Sequence, residues 1–316
     1  MPAQVLLWTD SSAFVEAIEA AGLSGRVSVD TVARKGKPSA EQLSRAEVLA
    51  AMGAPAGLLS SMPKLRWVQA MTVGVDGWLG LPDLPEGVML TCARGTHRES
   101  MPENIIGALL YVAKPYAQAV ENQRLRKWVP TTAQPVSGKT LAILGLGAIG
   151  QDVARIASAL GMRVIGTRRR AEPVPHVAEV FSPERTHAVL AQSDFVLLLL
   201  PATPETENLI DAERLGMMKP GAWLLNFGRG QLIRDDDLIA AVKAGTIAGA
   251  VLDVYRKEPL PEDHPFWVTE GIIVLPHIGG HHPQRDKVVA RLFAENLARY
   301  LDGKPLKEVV DRKAGY

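Results

Sequence analysis

Short uninterrupted runs of apolar residues recur along the chain and alternate with amphipathic segments of helical length. Runs of this kind, rich in Val, Ile and Leu, predict strands that are buried on both faces of a parallel sheet. Strands that alternate with helices predict an α/β fold. The predicted strands are Val5–Trp8, Val27–Val32, Ala46–Ala51, Leu65–Ala70, Val88–Thr91, Leu141–Leu144, Met162–Thr167, Asp194–Leu200, Ala222–Phe227, Ile247–Val254 and Gly271–Pro276.

Helix signals fill the intervals between these strands. Ser12 is a helix-capping residue, and Pro102 with Glu103 begins a long helical pattern that is interrupted near Pro115. The predicted helices are Ser12–Ala21, Ser39–Arg45, Pro55–Ser61, Pro102–Arg126, Asp211–Met218, Asp235–Ala244 and Pro283–Leu301, together with the segment that ends at Leu160.

This order of elements predicts two α/β domains, which suits a chain of 316 residues. We expect one domain formed by residues 1–100 and 284–316, because the last helix is predicted to return to the first part of the chain. Residues 101–283 are expected to form the other domain. It holds six predicted strands from Leu141 onward, the number in a doubly wound dinucleotide-binding sheet.

A glycine motif, Gly145-Leu-Gly147-Ala148-Ile149-Gly150, lies where the strand at Leu141 turns into a helix. The first glycine permits the tight turn, the second lets a pyrophosphate approach the backbone, and the third lets the helix pack on the strand. The N–H groups at the start of that helix are then available to the anion. With a strand on each side of the helix, the motif predicts a nicotinamide dinucleotide site rather than a chance glycine-rich turn.

The residues after the second strand of this unit indicate which dinucleotide binds. An NAD site usually has an Asp or Glu there, which accepts hydrogen bonds from the ribose. This chain has Thr167, Arg168, Arg169 and Arg170 instead. Guanidinium groups bind a 2′-phosphate, so the sequence favours NADP(H), with NAD(H) possible and a solvated basic loop as the alternative reading.

Composition excludes several classes of protein. A formal net charge of +1 gives no excess charge for nucleic acid or an anionic membrane, and no metal site is predicted. The start of the chain has neither a basic region nor a long apolar run, so we expect a cytoplasmic protein. Cys92 is the single cysteine, which rules out an internal disulfide and predicts a small buried residue.

Polar residues follow three consecutive predicted strands of the second domain: Arg229 after Phe227, Asp253 and Glu258 after Leu252, and His277 after Pro276. Ligands bind beyond the carboxyl ends of the strands in an open parallel sheet, so these side chains are expected to face one crevice. Each has an ordinary alternative as a surface or loop residue.

Together these groups suggest the reduction of a 2-oxo acid. Arg229 can hold the carboxylate and polarise the keto oxygen, because its charge does not titrate away. His277 can donate the proton that the carbonyl oxygen takes up, and Glu258 is the neighbour expected to favour the imidazolium. Asp253 is expected to bind the nicotinamide side of the cofactor.

The first domain contains Met71-Thr-Val73-Gly74-Val75 directly after an apolar strand. Exposed N–H groups in such a loop can form an anion nest for a carboxylate. From the residues alone, a nest and an ordinary turn between strand and helix are equally good interpretations.

Five motifs now define a resemblance. They are the glycine motif, Pro201-Ala-Thr-Pro-x-Thr206, Asn226-Phe-Gly-Arg229-Gly, Leu252-Asp253-Val-Tyr-x-x-Glu258-Pro and Pro276-His277-Ile-Gly-Gly. In this order and spacing they resemble the D-isomer-specific 2-hydroxyacid dehydrogenase family over most of residues 65–302. The arginines after the second strand are most similar to those of the NADPH-using glyoxylate and hydroxypyruvate reductases.

The resemblance implies a Rossmann-type doubly wound domain, a flavodoxin-like substrate domain made of both chain ends, and a homodimer. It assigns the catalytic roles to Arg229, Glu258 and His277, and substrate binding to Val73, Gly74, Val75 and Arg229. The residues it assigns to the cofactor are Gly145, Gly147, Ala148, Ile149, Gly150, Thr167, Arg168, Arg169, Pro201, Thr206, Phe227, Asp253 and Gly279.

Two departures from the family pattern stand out. His281, His282 and Pro283 replace a small residue followed by Thr or Ser, and Pro283 suits a first helical position. Arg98 lies where the chain crosses domains and is interpreted as a hinge residue rather than a substrate contact. The rival functions are an NAD-dependent dehydrogenase that works toward oxidation and a non-catalytic dinucleotide sensor; the arginines disfavour the first, and the intact Arg, Glu and His disfavour the second.

Overall fold

The structure, a computed structural model, describes residues 2–315 and divides the chain into two compact units. One unit contains the described residues up to Thr96 and those from His282 onward, and the other runs from His97 to His281. Within the described residues, no helix is long and apolar enough to cross a membrane.

The first part of the chain forms a five-stranded sheet in which all pairings are parallel. Its elements are β1 (Ala3–Trp8), α1 (Ala13–Ala20), β2 (Val27–Val32), α2 (Ala40–Arg45), β3 (Val48–Ala51), β4 (Trp67–Ala70), α3 (Asp76–Leu79) and β5 (Met89–Thr91). The strand order β2-β1-β3-β4-β5 is the flavodoxin-like order, which confirms the predicted fold of this part.

The predicted helix Pro55–Ser61 is wrong in extent, because only a single 3₁₀ turn forms, at Leu59–Ser61. Gly57 has a φ of 86°, and a left-handed residue cannot continue a right-handed helix.

The second unit is built on seven parallel strands with helices between them. Its elements are α4 (Met101–Ala113), α5 (Tyr116–Arg124), β6 (Thr140–Leu144), α6 (Ala148–Ala159), β7 (Arg163–Thr167), β8 (Glu179–Phe181), α7 (Thr186–Leu190), β9 (Phe195–Leu198), α8 (Ala212–Gly216), β10 (Trp223–Asn226), α9 (Asp235–Lys243), β11 (Gly249–Leu252) and β12 (Ile272–Val274). The strand order β12-β11-β10-β9-β6-β7-β8 is that of a doubly wound sheet with one strand added at its end.

Strand β8 has no counterpart among the predicted strands. It has three residues, begins with the exposed Glu179 and pairs only with β7 at the sheet edge. A short edge strand that carries a charge lacks the apolar run by which buried strands are predicted.

Strand β6 is the point where the chain switches direction across this sheet. Leu144, its last residue, is paired with Thr167 of β7 on one side and with Leu198 of β9 on the other. The glycine motif follows Leu144 directly, so it emerges at the carboxyl end of the central strand, where open α/β sheets bind their ligands.

Helix α10 (Arg285–Leu301) belongs to the unit that contains the first sheet. Phe293 on this helix is fully buried and stacks on Trp67, with ring centroids 5.5 Å apart. The buried Asn296 side chain accepts a hydrogen bond from the Lys307 N–H at 2.7 Å and donates one to the Lys307 carbonyl at 3.0 Å. The end of the chain is therefore part of the first core.

Arg98, interpreted above as a hinge residue, forms a two-point ion pair with Asp152 of α6. Its Nε lies 2.7 Å from Oδ2 and its Nη2 lies 2.9 Å from Oδ1. The Arg98 guanidinium lowers the pKa of Asp152 below its ordinary value. The pair ties the start of the second unit to the helix that follows the glycine motif.

Replacing Asp152 by Asn removes this pair and makes a pH-dependent prediction. The pKa of Asp152 is lowered, so its contribution is present at neutral pH and is lost as the pH falls through that lowered value. Because Arg98 is half exposed, we expect a loss of about 0.5 kcal/mol, or roughly 1–2 °C in Tm at pH 7, that narrows as the pH falls through the lowered pKa of Asp152. The control is Glu121→Gln, which removes an exposed pair with Arg124 on α5; identical Tm values for both variants would contradict the assignment.

Candidate active site

The glycine motif forms a turn in which each glycine has its own steric reason. Gly145 has a φ of 108°, and a Cβ there would lie 2.9 Å from the Leu199 carbonyl. A Cβ on Gly150 would lie 2.6 Å from the Gly145 oxygen, whereas a Cβ on Gly147 would meet nothing within 4 Å. The first and third glycines are thus required by packing, while the second faces open space.

This geometry fits a dinucleotide pyrophosphate. Helix α6 begins at Ala148, and Gly147 at its N-cap supplies no side chain to cap the first N–H groups. An anion that approaches Gly147 meets those N–H groups and the positive end of the helix. Ala148 and Ile149 are in the first turn, as the sequence predicts for the cofactor-binding residues.

The arginine segment lies beside this turn. The Thr167 carbonyl accepts hydrogen bonds from the N–H groups of Gly145 at 3.2 Å and Leu146 at 3.0 Å. Thr167 is buried, Arg168 is half-buried and Arg169 is exposed. The first arginine, Arg168, therefore comes directly after β7, the strand whose last residue is hydrogen-bonded to the glycine turn.

The segment Pro201–Thr206 follows β9 and is closed by its own hydrogen bonds. The Thr206 hydroxyl donates to the Pro201 carbonyl at 2.7 Å and accepts from the Thr203 N–H at 2.8 Å. The Thr206 side chain therefore shapes this loop, and a direct contact of Pro201 or Thr206 with the cofactor stays a prediction.

Arg229 follows β10 in a turn that the buried Asn226 organises. The Asn226 amide donates to the Arg229 carbonyl at 2.8 Å, and its oxygen accepts from the Gly228 N–H at 3.1 Å. Glycine at position 230 is required by close approach, because a Cβ there would lie 2.0 Å from the Tyr255 carbonyl carbon.

Asp253 and Gly279 come together with Phe227, three residues predicted to bind the cofactor. Asp253 is 2% exposed, and its two oxygens accept from the N–H groups of Ile278 at 2.7 Å and Gly279 at 2.9 Å. Burial raises the pKa of Asp253, and these two N–H groups lower it in part. A Cβ on Gly279 would lie 2.7 Å from Asp253 Oδ2 and 2.8 Å from the Phe227 ring.

His277 and Glu258 form the predicted pair. His277 Nδ1 lies 2.6 Å from Glu258 Oε2, while Glu258 Oε1 accepts from the Tyr255 N–H at 3.0 Å. Because a carboxylate faces Nδ1, that nitrogen carries a proton and Nε2 is the nitrogen that exchanges one. The His277 side chain is 53% exposed, so Nε2 chemistry is open to a ligand.

His277 also has an unusual backbone conformation, with a φ of 52°. This left-handed region is uncommon for a residue with a side chain and disfavoured relative to the extended and helical regions. The hydrogen bonds of Asp253 to the next two N–H groups hold the chain in this conformation.

The predicted carboxylate loop belongs to the unit that contains the first sheet. It follows β4, and the Thr72 hydroxyl donates to the Gly74 carbonyl at 2.6 Å. Val73 is 40% exposed, and Val75 is the N-cap of α3. The geometry is that of a loop between a strand and a helix, and its role in binding a carboxylate stays a prediction.

The segment His281–Pro283 differs from the sequence expectation. Helix α10 begins at Arg285 with Gln284 as its N-cap, so Pro283 is not a first helical residue. The Arg285 N–H instead bonds the His282 carbonyl at 3.1 Å, which makes a separate turn before the helix.

A sequence profile described as "D-isomer specific 2-hydroxyacid dehydrogenase, NAD binding domain" matches residues 106–279, which include the glycine turn, Arg229, Glu258 and His277. The chain belongs to the D-isomer-specific 2-hydroxyacid dehydrogenase family. It is therefore an NAD(P)-dependent oxidoreductase of 2-hydroxy acids.

Individual relatives agree with this assignment. A glyoxylate reductase from Aeropyrum pernix is 34% identical over 268 residues, which cover 81% of this chain and 79% of that protein. A family member of known structure from Aeromonas salmonicida has a TM-score of 0.90 at 33% identity and covers 99% of this chain and all of its own. An NADPH-dependent glyoxylate/hydroxypyruvate reductase from Sinorhizobium meliloti, in complex with NADP and sulfate, has a TM-score of 0.88 at 27% identity and covers 99% and 100%.

The sequence argument missed the residues that support the predicted ones. Asn226 is part of the motif around Arg229, and a polar residue at the end of an apolar run is the sequence signal that could have given it a supporting role. In the structure it is fully buried. Tyr255 donates its hydroxyl to the Leu252 carbonyl at 2.6 Å and lies 2.9 Å from the Leu275 carbonyl, a contact that depends on which strands are neighbours. Which strands are neighbours cannot be read directly from a single sequence.

The glycine turn makes a prediction that separates folding from cofactor binding. Gly147→Ala should leave Tm within about 1 °C but weaken NADPH binding by about tenfold or more, because the new methyl occupies the space that faces the anion. Gly150→Ala should lower Tm by several degrees, since its Cβ clashes with the Gly145 oxygen. Thermal unfolding and a fluorescence titration with NADPH measure both effects. Gly216→Ala, where a Cβ also meets nothing within 4 Å, is the control; it should leave NADPH binding unchanged and should not lower Tm, because alanine suits a helix.

Proposed function

We propose that this protein reduces a small 2-oxo acid, of the glyoxylate or hydroxypyruvate kind, to the D-2-hydroxy acid with NADPH. The observation that carries the proposal is the 2.6 Å contact of His277 Nδ1 with Glu258 Oε2 at the carboxyl edge of the sheet. A histidine oriented in this way is an acid for a carbonyl oxygen, and a carbonyl that gains hydride needs one.

When bound, the nicotinamide would supply the hydride to the carbonyl carbon. His277 donates the matching proton from Nε2 to the carbonyl oxygen, so one C–H and one O–H bond form as the C=O double bond is lost. Glu258 keeps Nδ1 protonated and its negative charge stabilises the imidazolium that makes the donation. The Tyr255 N–H fixes the other Glu258 oxygen, so the carboxylate is not free to rotate away.

Arg229 is proposed to bind the substrate carboxylate and polarise the keto oxygen. Its turn is fixed by Asn226, and its Nη1 donates to the Gly228 carbonyl at 2.6 Å, which orients one edge of the guanidinium. The attraction between this permanent cation and the carbonyl oxygen grows as negative charge develops on that oxygen. Val73, Gly74 and Val75 are proposed to bind the same carboxylate through their backbone N–H groups.

Arg168 and Arg169 are proposed to bind the 2′-phosphate, which would make NADPH the preferred cofactor. Both directly follow Thr167, whose carbonyl holds the glycine turn, and no carboxylate occupies the position that an NAD site would use. The NADP bound by the relative from Sinorhizobium meliloti supports this choice. The homodimer and the cytoplasmic location expected from the sequence stay predictions.

The direct test follows the absorbance of NADPH and NADH with glyoxylate, hydroxypyruvate, pyruvate and a bulky 2-oxo acid. We expect rapid loss of NADPH with one of the small acids. His277→Ala should lower kcat by about 10²–10⁴-fold while NADPH binding is nearly unchanged, because it removes an interaction made in the transition state. Tight binding of NADPH with no turnover of any 2-oxo acid would overturn the proposal and favour a sensor.

Cofactor choice is tested by replacing Arg168 and Arg169 together with Gln. We expect the Kd for NADPH to rise by about tenfold or more and that for NADH to change by less than about twofold, because only the phosphate loses its charged partners. Arg170→Gln, which removes one positive charge one residue further from the strand, is the control. Equal weakening of both cofactors in the double variant would show that these arginines do not select the 2′-phosphate.

A further inference from the structure

The loop that carries His277 is hydrogen-bonded on two sides, through its N–H groups and through its carbonyl groups. Asp253 accepts hydrogen bonds from the N–H groups of Ile278 and Gly279. On the carbonyl side, the Asn104 amide donates to the Gly279 oxygen at 2.8 Å and lies 3.5 Å from the Ile278 oxygen. The peptide groups directly after His277 are therefore hydrogen-bonded to a carboxylate on one side and to an amide on the other.

Asn104 comes from the first turns of α4, far from this loop in sequence. The hydrogen bond to Gly279 joins residues 175 positions apart, so it cannot be a local turn interaction. Asn104 is exposed and contributes little to the apolar core of its helix. Its contact with the His277 loop is thus its main structural interaction.

Ser100 completes the arrangement from the same end of α4. Serine at an N-cap usually accepts a hydrogen bond from the first helical N–H groups, but the Ser100 side chain makes no such cap. Its hydroxyl instead donates to the His281 carbonyl at 3.2 Å and lies 3.4 Å from the Asn104 amide nitrogen. The His97 ring also lies against Gly280, where a Cβ would be 2.2 Å from it.

We propose that Asn104, assisted by Ser100, is a positioning residue for His277, which extends the reductase function proposed above. His277 needs such support for two reasons. Its φ of 52° is held by the groups around it, and its side chain is 53% exposed, so packing alone does not fix the ring. Loss of the carbonyl-side contact lets the loop relax and moves Nδ1 away from Glu258.

The test is a double-mutant cycle between Asn104→Ala and His277→Ala, with Asn104→Asp and Ser100→Ala as second variants. If Asn104 acts through His277, its loss should lower kcat roughly tenfold or more in the wild-type background, because a small misplacement of an acid is costly. KM for the oxo acid and the Kd for NADPH should stay within about twofold. In the His277→Ala background the same change should have no further effect on kcat.

Gln118→Ala is the matched control. The Gln118 amide donates to Asn122 on α5 at 3.2 Å, so this variant also loses one amide hydrogen bond of the same unit, but away from the loop. It should leave kcat unchanged. Alanine suits a helix, so both alanine variants are expected to fold, which thermal unfolding verifies.

A second readout does not depend on turnover. In wild-type protein the proton between His277 Nδ1 and Glu258 should give a downfield NMR signal that Asn104→Ala weakens or removes and Gln118→Ala preserves. Unchanged kcat and an unchanged signal in Asn104→Ala would overturn the inference. So would an equal loss of kcat in both backgrounds, which would indicate a general structural role. A wild-type protein that reduces no 2-oxo acid refutes the proposed function, while the NMR signal still decides whether Asn104 positions His277.

Discussion

The candidate active site depends on one buried carboxylate. Asp253 is nearly inaccessible to water, and burying a charge is unfavourable unless it is fully hydrogen-bonded. The N–H groups of Ile278 and Gly279 satisfy its two oxygens, so the end of β11 and the loop after β12 are bound to each other. A charge that must be satisfied thereby fixes a backbone that would otherwise leave the left-handed conformation at His277.

Close approach of backbones is the second constraint, and it explains glycines that a motif alone does not. Gly230 lies against the Tyr255 peptide, and Gly228 lies against the Leu200 carbonyl, at distances that exclude a Cβ. The turn that presents Arg229 is therefore packed directly on the segments that follow β9 and β11. Since the Tyr255 hydroxyl and N–H bind the Leu252 carbonyl and Glu258, one residue links the arginine turn to the histidine's partner.

The sequence predicts those parts of the site that depend on local motifs and on strand order. It does not predict the parts that depend on contacts between residues far apart in the chain. The glycine turn, the strand ends and the His277–Glu258 contact follow from strand order in a doubly wound sheet, because carboxyl ends of parallel strands share an edge. Strand β8 was missed, since a three-residue edge strand has no apolar run. Asn104 was missed for a different reason: its partner is 175 residues away, and an exposed polar residue on a helix carries no sign of what it touches. The helix predicted at Pro55–Ser61 is too long, because Gly57 adopts a left-handed φ that the sequence does not reveal.

The order of the strands places the arginine segment and the His277–Glu258 pair on opposite sides of the glycine turn. The glycine turn follows β6, the arginines follow β7 on one side of it, and Arg229, Glu258 and His277 follow β10, β11 and β12 on the other side. With neighbouring strands about 4.8 Å apart, β12 lies four positions, or roughly 19 Å, from β6. Substitutions this far apart should have nearly additive effects on stability. A change of side chain after β7 therefore leaves unaltered the hydrogen bonds that hold the His277 loop.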